Sequence, residues 1–292
     1  MLKKFKKTIN LYLLSGVDVI LVTSTGRTGT NFFEHFYKTI DPNAFVFHEP
    51  SPDLFNLSVQ KIRNKKSSQD LQNYIISHRA ELIRSTGILI KRLLGRSITL
   101  IEANPFIYPL ISEYAPLFKS FRMIYISRSP DTYLLSAYRK DSKSDGINNF
   151  YGDTDHRKRL TAVDFGEVTQ EAWDDLSRIE RIAWYWNKCN SILIETKNSY
   201  CESAIHIRFE DLFSSSEKIK EKTLKRLLNL THPKYTLEEH KITLLSLLRN
   251  KKNASKELSQ ENSLEDFGHD THQRVERLIE PMRLMLGYNN NS

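Results

Sequence analysis

Residues 22–31 read "VTSTGRTGTN", one arginine among two glycines and a run of hydroxyl side chains, directly after an apolar stretch. That composition suits an anion. Backbone N–H groups at a helix start, with the helix dipole behind them, attract negative charge. Gly26 and Gly29 allow the backbone to approach such a group closely. Thr25, Thr28, Thr30 and Asn31 add donors, and Arg27 adds a permanent, forked charge. A plain strand-to-helix turn would not require an arginine amid so many hydroxyls. The loop also fails the G-x-x-x-x-G-K-[ST] pattern of a nucleoside triphosphatase.

A second cluster follows about a hundred residues later, where the run "MIYIS" ends and "RSPDTYLLS" begins. Arg128 closes the apolar run and Ser136 comes eight residues on. Parallel sheets bind ligands in the crevice at the C-terminal ends of their strands. Arg128 and Ser136 are therefore expected side by side there, as a second anion pocket distinct from the first. Alone, an arginine at a strand end is often only a surface charge.

These residues need a scaffold of strands and helices. "VDVILV" (17–22) reads as a buried strand. Phe33, Phe36, Tyr37 and Ile40 fall at helical spacing, which predicts a helix opening at Thr28 to Asn31 and stopping at "DPN". "AFVFHEP", "ITLIEANP", "FRMIYIS" and "AIHIRF" read as further strands. Pro130 suits the first turn of a helix, and "IYPLISEY" reads as a short one. One long helix is predicted through "EAWDDLSRIERIAWYWNKCNSILIE", and another from "SSSEKIKEKTLKRLLNL", opened by a Ser214/Glu217 capping box. Residues 61–70, 140–159 and 250–272 are polar and loop-like, and a helix containing Pro281 closes the chain. Trp184, Tyr185 and Trp186 cannot share one helical face, so at least one belongs to the core. The alternation of strands and helices predicts an α/β fold with a central parallel sheet. The organisation expected is a basic tail over residues 1–16 and a single domain over 17–290.

The 292 residues carry 43 Lys and Arg against 35 Asp and Glu, a net charge of +8 and a pI near 9.3. A basic surface favours anionic partners. Cys189 and Cys201 are too few for a disulfide framework, which points to a reduced, cytoplasmic setting. No cysteine or histidine spacing suggests zinc, so no metal is expected. No run approaches the ~20 apolar residues that cross a bilayer. Lys3, Lys4, Lys6 and Lys7 are suited to weak contact with an anionic membrane surface.

Taken together, "TSTGRTGTNFF" and "RSPDTYLLSAY" resemble the two cofactor signatures of the sulfotransferase family. That family moves a sulfuryl group from 3'-phosphoadenosine-5'-phosphosulfate (PAPS) to a hydroxyl or amine. "IEANPFIYPL", "WNKCNSI", "IRFEDLF" and a closing "LGY" extend the likeness over most of the chain from about Val17. Arginine in the loop looks more like the carbohydrate-type and bacterial branches. The resemblance implies a three-layer sandwich with a P-loop NTPase-like sulfotransferase fold. It places the 5'-phosphosulfate on Thr25 to Asn31 and the 3'-phosphate on Arg128 and Ser136. It also implies a saccharide, glycoconjugate or small-molecule acceptor, with Arg208 and Glu210 as structural support.

Within that reading Arg27 is the cation that stabilises the leaving phosphate oxygen. A glutamate base near the second strand, as in similar glycan-directed enzymes, makes Glu49 the first candidate. His48 is the second, because its ordinary pKa suits the task. Adjacent strand residues face opposite ways, so only one of the two is expected to enter the site. Glu102 is a third candidate base and a candidate acceptor contact, with a core arginine as the competing partner. Asn253, Ser255 and Lys256 are candidate donor contacts in a late loop. A divergent P-loop small-molecule kinase is the alternative enzyme. A nucleic-acid-binding module would leave both anion motifs unexplained. Neither the acceptor's identity nor the oligomeric state is legible.

Overall fold

The structure is a computed structural model that describes residues 2–85, 98–139, 150–153, 155, 157–249 and 263–288. All five stretches read as strands are strands. β1 (Val17–Ser24), β2 (Phe45–His48), β3 (Ile98–Ala103), β4 (Ser120–Ser127) and β5 (Ala204–Arg208) form one sheet in the order β2-β3-β1-β4-β5. Every pairing is parallel. The chain passes from β1 to one side for β3 and β2, then to the other for β4 and β5, so the strand order reverses around β1. Open α/β sheets leave a ligand crevice at that reversal.

Strand side chains alternate between two helical layers, which is the reason for three layers rather than two. Val19, Leu21, Leu100, Met123 and Tyr125 enter one core. It is built with α3 (Phe55–Ile62), α4 (Ser68–Ser85), α5 (Pro130–Tyr138), α6 (Arg178–Ser199) and α9 (His269–Met285). Ile20, Val22, Ile101, Ala103, Ile124 and Ile126 enter the other. There they meet α2 (Thr30–Ile40), α7 (Glu217–Thr231) and α8 (Leu237–Arg249). The buried stripe of α2 is the predicted one, Phe33, Phe36, Tyr37 and Ile40.

Several local expectations are corrected. Residues 2–14, read as a tail, form a helix, α1 (Leu2–Leu14), with Asn10, Leu13 and Leu14 buried. The polar stretch after residue 61 gives way to α4, which runs for 18 residues and was not anticipated. The long helix around the tryptophans breaks: one turn covers Gln170–Asp174, and α6 starts afresh at Ser177. There Ser177 and Glu180 form a reciprocal capping box, which satisfies donors that a continuous helix would have paired internally. Ser214 and Glu217 form none, because α7 begins at Glu217 itself, with Ser216 as its cap. Trp184, Tyr185 and Trp186 are all buried.

Candidate functional site

The loop after β1 is held in shape by its own hydroxyls. Ser24 Oγ accepts from the Gly26 N–H (3.0 Å) and from the Thr28 hydroxyl (2.6 Å). Thr25 donates to the Gly26 carbonyl at 3.4 Å, and Tyr133 donates to the Thr25 carbonyl at 3.1 Å. Thr25 and Thr28 therefore turn their side chains inward, both almost fully buried, instead of presenting them to a ligand as expected. Their contribution is to fix the backbone. Ser24, not singled out from sequence, is the hub of this bracing.

The loop takes a left-handed path through Gly26, Arg27 and Gly29, with φ of 82°, 55° and 74°. Gly29 is constrained twice. A Cβ there would lie 3.1 Å from Phe213 Cε2 and 3.3 Å from Phe209 Cε2, and the positive φ disfavours any side chain. The path delivers the chain into α2, where the Phe32 N–H donates to the Gly29 carbonyl at 2.9 Å and the helix start brings the positive end of its dipole to the loop.

The two basic signatures converge more closely than expected. Arg27 Nε donates to Ser136 Oγ at 3.3 Å, and Arg128 Nη1 donates to the Arg27 carbonyl at 2.9 Å. Arg27, Arg128 and Ser136 are thus contiguous, and the expectation of two distinct pockets is corrected to one cationic strip. The physical reason is topological. β1 and β4 are hydrogen-bonded neighbours, with Ser24 paired to Ile126, so the loops that leave them are adjacent.

Arg128 also donates to Thr132 Oγ1 (3.1 Å) and lies 4.8 Å from the Phe209 ring centroid. It forms no ion pair among the described residues; the nearby Glu210 carboxylate is taken by the Ser129 N–H (2.9 Å) and the Tyr288 hydroxyl (3.0 Å). Burial, with Arg27 alongside, pushes the Arg128 pKa below its ordinary value despite Glu210. A guanidinium held this way, half-buried beside a second cation, favours an anionic ligand. The strand end is itself pinned by Trp186 Nε1, which donates to the Arg128 carbonyl at 3.0 Å. "IRFEDLF" and "LGY" supply this scaffold, through Phe209, Glu210, Phe213 and Tyr288. Arg208 is tied to Asp211 at 2.8 Å.

On the β2 side, both His48 and Glu49 reach the site. Strand alternation fails between them because β2 ends at His48 and Glu49 adopts a left-handed conformation, φ 45°. His48 Nε2 and Glu49 Oε1 lie 3.8 Å apart, and His48 Nε2 shares a 3.0 Å hydrogen bond with Thr30 Oγ1. Burial lowers the His48 pKa, so the ring is neutral near pH 7 and already committed to Thr30. Burial raises the Glu49 pKa, Arg157 opposes that, and Asp53 adds to it. Arg157, missed in a polar stretch, sits 4.0 Å from the Phe106 centroid and pairs with Asp53 Oδ2 at 3.2 Å.

Glu102 does not face the crevice, contrary to its expected place beside an acceptor. It is fully buried and receives Arg79 through Nε (2.9 Å) and Nη2 (2.6 Å), Tyr114 (2.8 Å) and Asn104 Nδ2 (2.9 Å). It shares its strand face with Leu100, so it enters a helical layer rather than the crevice. Arg79 and Asn104 also donate to the carbonyls of Pro52 (3.1 Å) and Asp53 (2.9 Å), so this cluster steadies the segment that carries Glu49. The backbone of Asn31 opens α2 next to Thr30. Asn253, Ser255 and Lys256 lie outside the described residues.

Among the described residues no group of three or more His, Cys, Asp and Glu is arranged to hold a metal ion. No described helix is long and apolar enough to cross a membrane. A cavity of about 410 Å³ lies along the outer edge of β5, lined by Lys197, His206, Arg208 and Arg226. It includes none of the converging residues, and its Arg208 is already occupied.

No family model and no curated protein matches the chain. Among solved structures it is similar to "Sulfotransferase Domain from the Curacin Biosynthetic Pathway", at 14% identity over 94% of this chain and 99% of that one, with a TM-score of 0.47. It is also similar to "Sulfotransferase Domain from the Synechococcus PCC 7002 Olefin Synthase", at 11% identity, 92% and 94% coverage and a TM-score of 0.39. Both likenesses are distant.

Proposed function

We propose that this chain is a sulfotransferase that uses PAPS as its sulfuryl donor, and that the acceptor is a hydroxyl, in the first instance that of a saccharide or glycoconjugate. The observation that carries this reading is the contact of Arg27, Arg128 and Ser136 at the mouth of the glycine turn. PAPS bears its 3'- and 5'-anionic groups on one ribose, so a continuous cationic strip fits it better than two remote pockets would. The bracing of Thr25 and Thr28 leaves backbone N–H groups and Arg27 to meet the 5'-phosphosulfate, with Arg128 and Ser136 towards the 3'-phosphate.

Chemically, the acceptor oxygen attacks sulfur while the bond from sulfur to the bridging phosphate oxygen breaks. The electron pair passes to that oxygen. Arg27, fixed through Nε by Ser136, stabilises the growing charge there more than in the ground state. Glu49 takes the proton of the attacking hydroxyl. No hydrogen bond engages its carboxylate among the described residues, and its raised pKa makes it a stronger base than an exposed carboxylate. His48 orients Thr30 and the loop end.

Thermal melting of the protein with 3'-phosphoadenosine-5'-phosphate, AMP and ATP–Mg²⁺ tests the reading. The expected order puts the 3',5'-bisphosphate well above AMP at equal concentration. A larger shift with ATP–Mg²⁺ would instead identify a kinase, and no preference over AMP would remove the 3'-phosphate assignment.

A further inference from the structure

The helix that replaces the expected tail has two faces with opposite uses. Asn10, Leu13 and Leu14 turn inward, and α1 lies along α4, where Arg84 donates to Asn10 Oδ1. The other face carries Phe5, Ile9 and Tyr12, spaced four and three residues apart and so aligned on one stripe. These side chains are 66%, 40% and 68% exposed, and Leu11 beside them is 40% exposed. Exposed large apolar residues are ordinary when scattered. A cluster on one four-turn helix is not scatter.

The charges around this stripe identify its occupant. Lys6 is exposed and lies about 100° round the helix from Phe5, on the flank that leads from the apolar stripe to the buried Leu13 and Asn10. Lys7 is also exposed. The chain carries Lys3, Lys4, Lys6 and Lys7 and has no acidic residue before Asp18. A second copy docked on this face would set one lysine-rich helix against another. A surface with an apolar interior and anionic head groups satisfies both features at once: Phe5 and Ile9 enter the acyl boundary, Tyr12 keeps its hydroxyl at the interface, and Lys6 and Lys7 meet the head groups.

We propose that α1 is an interfacial helix by which this protein docks reversibly on anionic lipid surfaces. The stripe is short, so binding requires both the apolar contacts and the charge. The catalytic loop leaves the far end of β1 from the end that α1 joins. Docking therefore leaves the candidate site open to an acceptor. This inference is independent of the reaction proposed above.

The test is co-sedimentation of the full chain with vesicles of phosphatidylcholine alone and of phosphatidylcholine mixed with phosphatidylglycerol. The expected result is partitioning at least about tenfold higher on the anionic vesicles, reduced as salt is raised. Phe5→Ser with Ile9→Ser should lower it about tenfold, and Lys6→Gln with Lys7→Gln should remove the preference for anionic lipid. Both variants change exposed side chains, and unchanged melting curves and 3'-phosphoadenosine-5'-phosphate shifts verify that they fold. Equal pelleting of the wild type and the Phe5/Ile9 variant would overturn the proposal, as would no pelleting on anionic vesicles. So would sedimentation equilibrium showing a wild-type dimer that the Phe5/Ile9 variant dissolves, since a second copy would then occupy the stripe.

Discussion

Replacing Arg128 with glutamine separates a ligand-binding role from a structural one, because the two predict opposite balances. In the ligand-free protein the Arg128 guanidinium is half-buried, has no carboxylate partner among the described residues and lies close to Arg27. The substitution loses the guanidinium's charge-assisted hydrogen bonds to the Arg27 carbonyl and Thr132, the contact over Phe209 and the attraction of the nearby Glu210. A hydrogen bond from a charged group is worth about 1.5–3 kcal/mol when well formed, and the ring contact about 1 kcal/mol or less. It also relieves a desolvated cation beside another cation. These effects partly offset, so the free protein should lose no more than about 2 kcal/mol. Ligand binding has no such offset. A charge-assisted hydrogen bond to phosphate is worth ~2 kcal/mol, or about a 30-fold rise in Kd. At a bisphosphate concentration of 100 times the wild-type Kd, the wild type gains ~2.7 kcal/mol and the variant only ~0.9 kcal/mol. Denaturant unfolding with and without 3'-phosphoadenosine-5'-phosphate measures both quantities. A variant that loses ~3 kcal/mol without ligand, yet keeps the full ligand increment, would show that Arg128 holds the fold rather than the phosphate.

Other expectations follow from the same geometry. Arg27→Ala should lower kcat about 100-fold or more at saturating PAPS, by analogy with loss of an oxyanion donor; full turnover in a sulfuryl-transfer assay would remove its catalytic role. Glu49 must be ionised to act, so kcat/KM should rise with pH through a pKa above the ordinary carboxylate value, since burial favours the protonated form. The stability linked to that raised pKa is present at low pH and is lost as pH rises through it. Arg157→Gln removes the cation that opposes the shift, so the acid limb of the kcat/KM profile should move to higher pH; an unmoved limb would exclude electrostatic contact with Glu49. Glu102→Gln leaves Arg79 buried without its counter-charge and should cost about 3–5 kcal/mol in denaturant unfolding. A stable Glu102→Gln variant with a raised acceptor KM would restore the acceptor role.

The sheet was legible because its signals are local. Each strand is a short β-branched run that ends in turn residues, and a parallel sheet buries both faces of such runs. α4 was hidden because its sequence, SQDLQNYIISHRAELIRS, mixes few apolar residues into a polar surface, and burial of Leu71, Ile75 and Ile76 depends on a partner layer. The restart of α6 was written in Ser177 and Glu180, a spacing identical to the one read, wrongly, at Ser214 and Glu217. Spacing alone does not say which residue is the cap. The site shows the same divide. Arg27, Arg128 and Ser136 could be named from motif and strand position. Ser24 looked like one hydroxyl among several, and Arg157 matters only through Phe106, Asp53 and Glu49, which are distant in sequence.

The convergence of the two signatures also bears on why the loop can dispense with a lysine ending. β1 and β4 are adjacent, so the segments leaving them share the space above the sheet. The loop after β1 contributes α2's first turn and Arg27, and the segment after β4 contributes Arg128 and Ser136. Each arginine is fixed by an atom of the other segment: Arg27 by the Ser136 hydroxyl, Arg128 by the Arg27 carbonyl. A triphosphate spread along one loop needs charge at the end of that loop and a metal to neutralise the rest. In the proposed reading, two anionic groups carried on one ribose need cations arranged across two neighbouring loops, and the pairing of β1 with β4 brings Arg27 and Arg128 together. A register change between these strands should therefore impair both anion contacts together. Shortening the β4–α5 junction by deleting Ser129 would remove the N–H that Glu210 holds and shift Arg128 and Ser136 relative to Arg27. Bisphosphate binding should fall in that variant by more than in Arg128→Gln alone, while the sheet, judged by far-ultraviolet circular dichroism, persists. Equal losses in the two variants would mean that Arg128 acts without the positioning its neighbours provide.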